Sequence, residues 1–421
     1  LYMNHNTHQI TSSATTDITS NPFKQDFPLL VNNPQLAFLD SAATAQRPAV
    51  VLEAQKSFYE TMNANPLRGL YTLSVQATQA IEKARAHVAA HIGAARPEEI
   101  VFTRNASESL NLIAQTLGKQ LIHEGDEVVI SIMEHHSNLI PWQQLCAQVG
   151  AKLIYLRPRK DGTITQEQID AAIGPKTKLV SVTQVSNVLG VETPAKDIIA
   201  RAHQMGAVAI IDGAQSVPHL TVDVQDLDCD LMAFSAHKAL GPMGIGVLWG
   251  KLDILNAMPP FLTGGEMIDS VTETQASWAP VPMKFEAGTQ DAAGIYAFDA
   301  ALTYIEQIGM DVIEQRERKL AAYLCEQLNT LDFIDVHGPQ QPDAHIGSVA
   351  FSMHNVHPHD VASILDMSGV AIRAGHHCAQ PLLAWLGVDS TCRASIALYN
   401  DKNDIDQLID GLHNVRKIFH A

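Results

Sequence analysis

The stretch Leu231-Met232-Ala233-Phe234-Ser235-Ala236-His237-Lys238 runs an apolar tetrapeptide straight into a lysine, and Gly241-Pro242-Met243-Gly244-Ile245-Gly246 follows closely. Consecutive apolar residues bounded by turn formers read as a strand buried on both faces. Taken alone, Lys238 is either an ordinary solvated strand-end cation or a lysine placed for chemistry. The rest of the chain decides between the two. Only ten residues separate Phe234 from the next apolar run, Ile245–Trp249, and they include two glycines and a proline. That is too short and too broken for a crossover helix, so this last strand is expected to be antiparallel.

Upstream, apolar runs recur at Ile100–Thr103, Val128–Ile132, Lys152–Leu156, Leu179–Thr183 and Val208–Ile211. Helical periodicity fills the gaps at Ser107–Gly118, Leu139–Val149, Gln166–Ile173 and, after Pro194 at a favourable first-turn position, Ala195–Met205. Strand-helix-strand alternation of this kind predicts an α/β fold: a mostly parallel seven-stranded sheet with helices on both faces. Beyond Thr289 the rhythm turns helical, at Ile295–Ile308 and Asp311–Leu331. Short strands follow near Phe333–Val336 and Ser348–Ser352, then a helix at Pro358–Met367, the segment Val370–Arg373 and an amphipathic helix at Asp404–Phe419. This is a smaller α+β C-terminal domain. The expected division is a large domain of residues 35–305 and a small one of residues 21–34 with 306–421, on which Phe23–Leu30 packs. Residues 1–20, rich in Asn, Thr and Ser and without an apolar signal core, are expected to be disordered.

Across 421 residues, 46% are hydrophobic and 17% charged, with no apolar run near the ~18 residues that a spanning helix needs. A soluble protein is expected. A formal net charge of -17 argues against nucleic acid or an anionic membrane as the main partner. Cys146, Cys229, Cys325, Cys378 and Cys392 are widely spaced with no C-x-x-C pair, which suits a reducing compartment and makes the cytoplasm the default.

Ligands of open parallel sheets sit outside the carboxyl ends of the strands, and polar residues collect there. Asn105-Ala106-Ser107-Glu108 resembles an Asn-capped box, with Glu108 returning to the cap, and a helix start with small residues seats an anion. Glu134-His135-His136-Ser137-Asn138, Ser186-Asn187-Val188-Leu189-Gly190, Asp212-Gly213-Ala214-Gln215 and the Lys238 stretch end four other strands. A phosphate seat, an imidazole, amides, a strand-end carboxylate and a lysine are what pyridoxal phosphate requires. Lys238 would carry the cofactor and Asp212 would hold its pyridinium nitrogen protonated. In the second domain, Arg373-Ala374-Gly375-His376-His377-Cys378-Ala379 sets a cysteine among two imidazoles and an arginine, which favours a thiolate. Cys146, Cys229 and Cys325 read as buried and inert. A metal at His376, His377 and Cys378 is disfavoured, because adjacent ligands fit one tetrahedral ion poorly.

From about Phe27 onward the chain resembles the group II (SufS-type) cysteine desulfurases and selenocysteine lyases, a branch of the class V aminotransferase family with PLP fold type I. The resemblance is carried by Asp40–Thr44 (DSAAT), Met133–Asn138 (MEHHSN), Val185–Gly190 (VSNVLG), Asp212–Gln215 (DGAQ), His237-Lys238, Phe285–Thr289 (FEAGT) and Arg373–Ala379 (RAGHHCA). It implies that Lys238 binds pyridoxal 5'-phosphate covalently, that Asp212 pairs with the ring nitrogen and that His135 stacks on the ring. Asn187 and Gln215 would contact the ring oxygen, while Ala106, Ser107, Ser235 and His237 would hold the phosphate. Thr289 would reach the phosphate of the other subunit, which implies a homodimer. Arg393, with Arg373 and Asn187, would take the substrate carboxylate, and Cys378 would accept sulfur from L-cysteine, leaving L-alanine. Lys238, Cys378 and His135 are thus the expected catalytic residues. The persulfide would pass to an acceptor protein of the SufE or SufU type for iron-sulfur cluster assembly.

The chain departs from that pattern at Leu67 and Gln184, where a histidine is usual, at Thr263-Gly264-Gly265, which keeps two of three glycines, and at Asn105-Ala106-Ser107 in place of a Gly-Thr-Thr type start. The alternatives are a selenocysteine lyase or another β-lyase using L-selenocysteine or a related substrate, and a non-catalytic assembly partner. No G-x-G-x-x-G follows the first strand, which speaks against a dinucleotide-binding oxidoreductase.

Overall fold

The computed structural model describes residues 17–67 and 69–420. Seven strands, β1 (Ile100–Thr103), β2 (Glu127–Ser131), β3 (Lys152–Leu156), β4 (Thr177–Thr183), β5 (Val208–Asp212), β6 (Leu231–Ser235) and β7 (Gly246–Gly250), form one sheet in the order β1-β7-β6-β5-β4-β2-β3. Only β7 runs against its neighbours; it is antiparallel to both β1 and β6. The short glycine-containing connection after β6 therefore turns the chain back, as its length demands.

Helices α1 (Ala49–Thr61) and α2 (Thr72–His91), which the sequence reading did not include, cover one face. The others of this layer system are α3 (Ala106–Ile113), α4 (Ile140–Val149), α5 (Gln166–Ala172), α6 (Ala195–Gln204) and α7 (Ala292–Ile308). The apolar stripes of α1, α2 and α7 share one core with β1, β4, β5, β6 and β7. The opposite face of the sheet packs on α3 and α4 through Leu110, Ile113, Trp142 and Leu145. The helix expected over Ser107–Gly118 is α-helical only to Ile113; a wider π turn occupies Ala114–Gly118, where the Thr116 hydroxyl donates back to Leu112 O at 2.6 Å.

A second, antiparallel sheet has the order β8 (Ile334–His337), β9 (Ser348–Met353), β11 (Thr391–Ser395), β10 (Arg373–Gly375). Helices α8 (Met310–Asn329), α9 (Pro358–Met367), α10 (Gln380–Leu386) and α11 (Lys402–Phe419) accompany it, and α8, α9 and α11 bury leucines and isoleucines in its own core. A full capping box, Asp401 with Asp404, starts α11. Ala37 and Leu39 pack into this second core, and Ala37–Phe38 pairs in parallel with Val370–Ala371.

Phe23, Phe27 and Leu30 do not lie on the second sheet alone. They bury in a cluster with Ala45 and Leu240 from one side and Ala397–Tyr399 from the other, so this segment seals the junction. Of the stretch 1–20, residues 1–16 lie outside the described residues. The expected disorder does not extend to the last four: the carbonyls of Asp17 and Ser20 accept hydrogen bonds from Arg316, and Lys402 N–H donates to Ile18 O at 2.8 Å. The hairpin Ile268–Val271 with Ala276–Trp278 also escaped the sequence reading. Among the described residues no helix is long and apolar enough to cross a membrane.

Candidate active site

The carboxyl ends of β2, β4, β5 and β6 and the start of α3 face β10, β11 and the Cys378 loop across a cavity of about 600 Å³. Its walls include Ala106, Ser107, His135, Asn187, Asp212, Gln215, Ser235, His237, Lys238, Arg373, Cys378 and Arg393. Of the residues expected to bind cofactor or substrate or to act in catalysis, Thr289 alone is not brought there. It lines a separate small cavity with Asn65, Leu67, Arg85 and Glu286, and Leu67 there holds a left-handed backbone with φ of 78°.

Lys238 follows β6 on a single 3-10 turn, Ala236–Lys238. Burial pulls its ammonium down to about 8, against the attraction of Asp212, which the register of β5 beside β6 sets on the same cavity. Burial raises the Asp212 carboxyl, opposed by the Ala214 N–H that donates to Oδ1 at 3.0 Å and by Lys238. Burial, with the Lys238 charge second, brings the His135 imidazole down to about 3, so the ring is neutral near pH 7. Its Nδ1 accepts from Ser137 N–H at 3.1 Å, fixing the ring edge.

The phosphate end differs from expectation in its details. Asn105 caps α3 by accepting from Glu108 N–H at 2.9 Å, but Glu108 returns to Arg104 N–H and not to the cap itself. The Ala106 N–H donates to Ser235 Oγ at 2.8 Å, which ties α3 to the end of β6. Ser107 and Ser137 hydroxyls lie 2.5 Å apart at the helix start, where N–H groups favour an anion. His237 Nδ1 is 3.2 Å from Thr44 Oγ1, and Arg47 donates to that hydroxyl and to Gly241 O, bracing the Lys238 turn.

Cys378 is exposed, whereas Cys146, Cys229, Cys325 and Cys392 are buried. Both His377 and Cys378 have left-handed backbones, φ of 52° and 55°. His136 N–H donates to Cys378 O at 2.7 Å and Asn187 Nδ2 to His377 O at 2.8 Å, so the loop is pinned from the large sheet. Of the two imidazoles expected beside the thiol, only His376 is exposed. His377 is buried, with Nε2 2.9 Å from Thr391 Oγ1, and burial followed by the Arg393 charge brings it down to about 3. His377 is thus a neutral ring tied to Thr391, and the cationic neighbours of Cys378 are Arg373 and Arg393.

Two carboxylates escaped the residue-by-residue reading although their motifs were visible. Glu134 is fully buried and accepts from Ser131 Oγ, Asn138 Nδ2 and Thr183 N–H, bracing β2 against β4 beneath the site; burial raises it to about 8 against those bonds. Asp40 lies against both arginines.

The Aminotransferase class-V family model matches residues 37–408. The chain belongs to the class-V aminotransferase family. This aminotransferase-family chain is 48% identical over 405 residues to the probable cysteine desulfurase of Halalkalibacterium halodurans, covering 96% of itself and 99% of that relative. It is 46% identical to the cysteine desulfurase of Cronobacter sakazakii, over 94% of itself and 98% of that relative. Among solved structures, an apo cysteine desulfurase from Thermococcus onnurineus superposes with a TM-score of 0.90 at 38% identity, over 95% of this chain and 99% of the other. The cysteine desulfurase CsdA of Escherichia coli gives 0.87 at 37%, over 94% and 98%. The fold is thus PLP fold type I, and the cofactor of the family is pyridoxal phosphate. The donor set fits it: a buried acid and a desolvated lysine share one cavity with a neutral imidazole and hydroxyls at a helix N-terminus.

Proposed function

We propose that the protein is a pyridoxal-phosphate-dependent cysteine desulfurase, converting L-cysteine to L-alanine with sulfur left on Cys378. One observation carries this reading: Lys238, from the large sheet, and Cys378, more than a hundred residues later beside the small sheet, line the same cavity with Arg393. Lys238, Asp212, His135, Asn187, Gln215, Ala106, Ser107, Ser235 and His237 would hold the cofactor, with Thr289 reaching it from a second copy in a homodimer. Its absence from the cavity of its own chain supports that last assignment. When bound, pyridoxal phosphate supplies an electron sink at the substrate Cα.

Arg393 orients the substrate by its carboxylate. The Lys238 amine, whose ammonium burial pulls down to about 8, would take the Cα proton once the substrate amine has displaced it. The Cys378 thiolate then attacks the substrate sulfur. An S–S bond forms as the C–S bond breaks, and the electron pair of that bond goes to carbon, which is protonated and departs as alanine. The persulfide on Cys378 is a reversible cap, and the exposure of that residue suits delivery to an acceptor protein of the SufE or SufU type for iron-sulfur assembly in the cytoplasm. The two separate cores support a large unit and a small C-terminal one, but Ala37 and Leu39 pack in the small core and Phe23, Phe27 and Leu30 in the junction, so the N-terminal boundary lies after Leu39 and not near residue 35. That the relatives bear the name cysteine desulfurase supports cysteine as the donor.

The test is Cys378→Ala in the holoenzyme. It should retain the cofactor absorption band and lose alanine formation from cysteine by at least a hundredfold; undiminished turnover refutes the role of Cys378.

A further inference from the structure

Asp40 opens the DSAAT stretch, which the scheme above leaves without a role. Its backbone is clamped on both sides: Leu39 N–H donates to Ala371 O at 2.9 Å, Ser395 N–H donates to Leu39 O at 2.7 Å, and Asp40 itself bridges to Ser395. The residue is therefore held between Val370–Ala371 and β11, with its carboxylate beside Arg373 of β10 and Arg393 of β11. It treats the two arginines unequally. Arg373 gives it both faces of its fork, Nε at 3.1 and 3.2 Å and Nη2 at 2.9 Å. Arg393 gives it one bond only, Nη2 to Oδ1 at 3.2 Å, and spends Nη1 on Asn187 O at 2.8 Å. The Arg393 Nε is buried and has no partner, in a side chain only 3% exposed. A buried guanidinium N–H without an acceptor is expensive to maintain, and Arg393 lines the cavity.

We infer that Asp40 is a positioning and specificity-determining residue: it occupies the fork of Arg373, aims Arg393, and leaves one guanidinium for one substrate carboxylate. Two cations and one fixed anion leave a single net positive charge. An amino acid with one carboxylate and a neutral side chain matches that charge. A substrate with a second acidic group meets an Arg373 that is already paired. Arg373 then acts through Asp40 and does not receive the α-carboxylate, contrary to its assignment by resemblance.

This inference rests on reading the cavity as an α-amino-acid site. In the holoenzyme, Asp40→Asn should raise the KM for L-cysteine about tenfold while kcat changes less than threefold, because a charge-assisted bond that aims Arg393 is lost. The same variant should bind L-aspartate, titrated calorimetrically as a probe, at least tenfold more tightly than the unsubstituted protein, since Arg373 is released. Asp40→Glu should return both quantities towards their starting values, and Asp40→Asn with Arg373→Gln should abolish the gain in L-aspartate binding. Asp40→Ser is the second neutral variant if the amide is not accommodated. Unchanged L-aspartate binding in the neutral variants, or a cysteine KM that falls, overturns the role of Asp40. Failure of the unsubstituted protein to turn over cysteine would instead sink the desulfurase reading.

Discussion

Replacing Glu286 by leucine should unfold this protein more readily than any surface change, and the loss can be worked out bond by bond. Glu286 belongs to the FEAGT stretch, and its side chain is 4% exposed. It accepts from Arg85 Nη1 at 2.6 Å, from Arg85 Nη2 at 2.9 Å and from Phe102 N–H at 2.7 Å, joining α2 to the edge strand β1. Removing one partner of a buried ion pair costs about 3–5 kcal/mol, because the other charge is left in a poor solvent. Orphaning the Phe102 amide adds about 1–3 kcal/mol. Glu82 still contacts Arg85 Nε at 3.1 Å from the solvent side, so the lower end, about 4 kcal/mol, is the expected loss. Against a total of about 5–15 kcal/mol for a folded protein, this is a large fraction. The assay is urea unfolding followed by the fluorescence of the four tryptophans, one of which, Trp249, pairs with Ile100 on β1. At a slope of about 3 kcal/mol/M the midpoint should fall by about 1 M. Arg85→Met combined with Glu286→Leu should recover more than half of the loss, since no buried charge then remains unpaired. A single variant that loses less than about 1 kcal/mol, or a double variant no better than the single, would refute the reasoning.

Gly190 has φ of 63°, and a Cβ there would stand 2.2 Å from Ser348 O and 3.0 Å from Ile346 O. Gly190→Ala should therefore push the Asn187 turn off β9 and cut cysteine turnover at least tenfold, with faster limited proteolysis; wild-type activity would show that the contact between the two sheets is not needed. His87 on α2 pairs with Asp299 at 2.6 Å and Glu306 at 2.9 Å on α7, and the bond to Asp299 raises its pKa. A raised folded value means its stabilisation is complete below the ordinary histidine range near 6.5 and is lost as pH rises through the folded value. His87→Gln should flatten the melting temperature against pH over that window, and an unaltered slope would exclude His87 as its source.

The seven strands, the reversal after β6 and the strand-end placement of Lys238 and Asp212 were legible because each depends on local pattern: apolar runs, turn residues and connection length. The cysteine that differs from the other four was legible for the same reason, since Gly375 and the flanking polar residues announce a loop. Helices α1 and α2 were missed: apart from short clusters, their apolar residues are small or widely spaced, and their burial becomes visible only where they meet α7. What the chain alone determined is which chemical groups exist and which end of which strand carries them. What only the tertiary structure decided is who their partners are. His377 turns inward to Thr391, the Ala106 amide is spent on Ser235, Thr289 lines a separate cavity, and Asp40 meets arginines 333 and 353 positions later. The reason is physical: a buried hydrogen bond or ion pair is set by which elements the two cores press together, and sequence separation carries no trace of it.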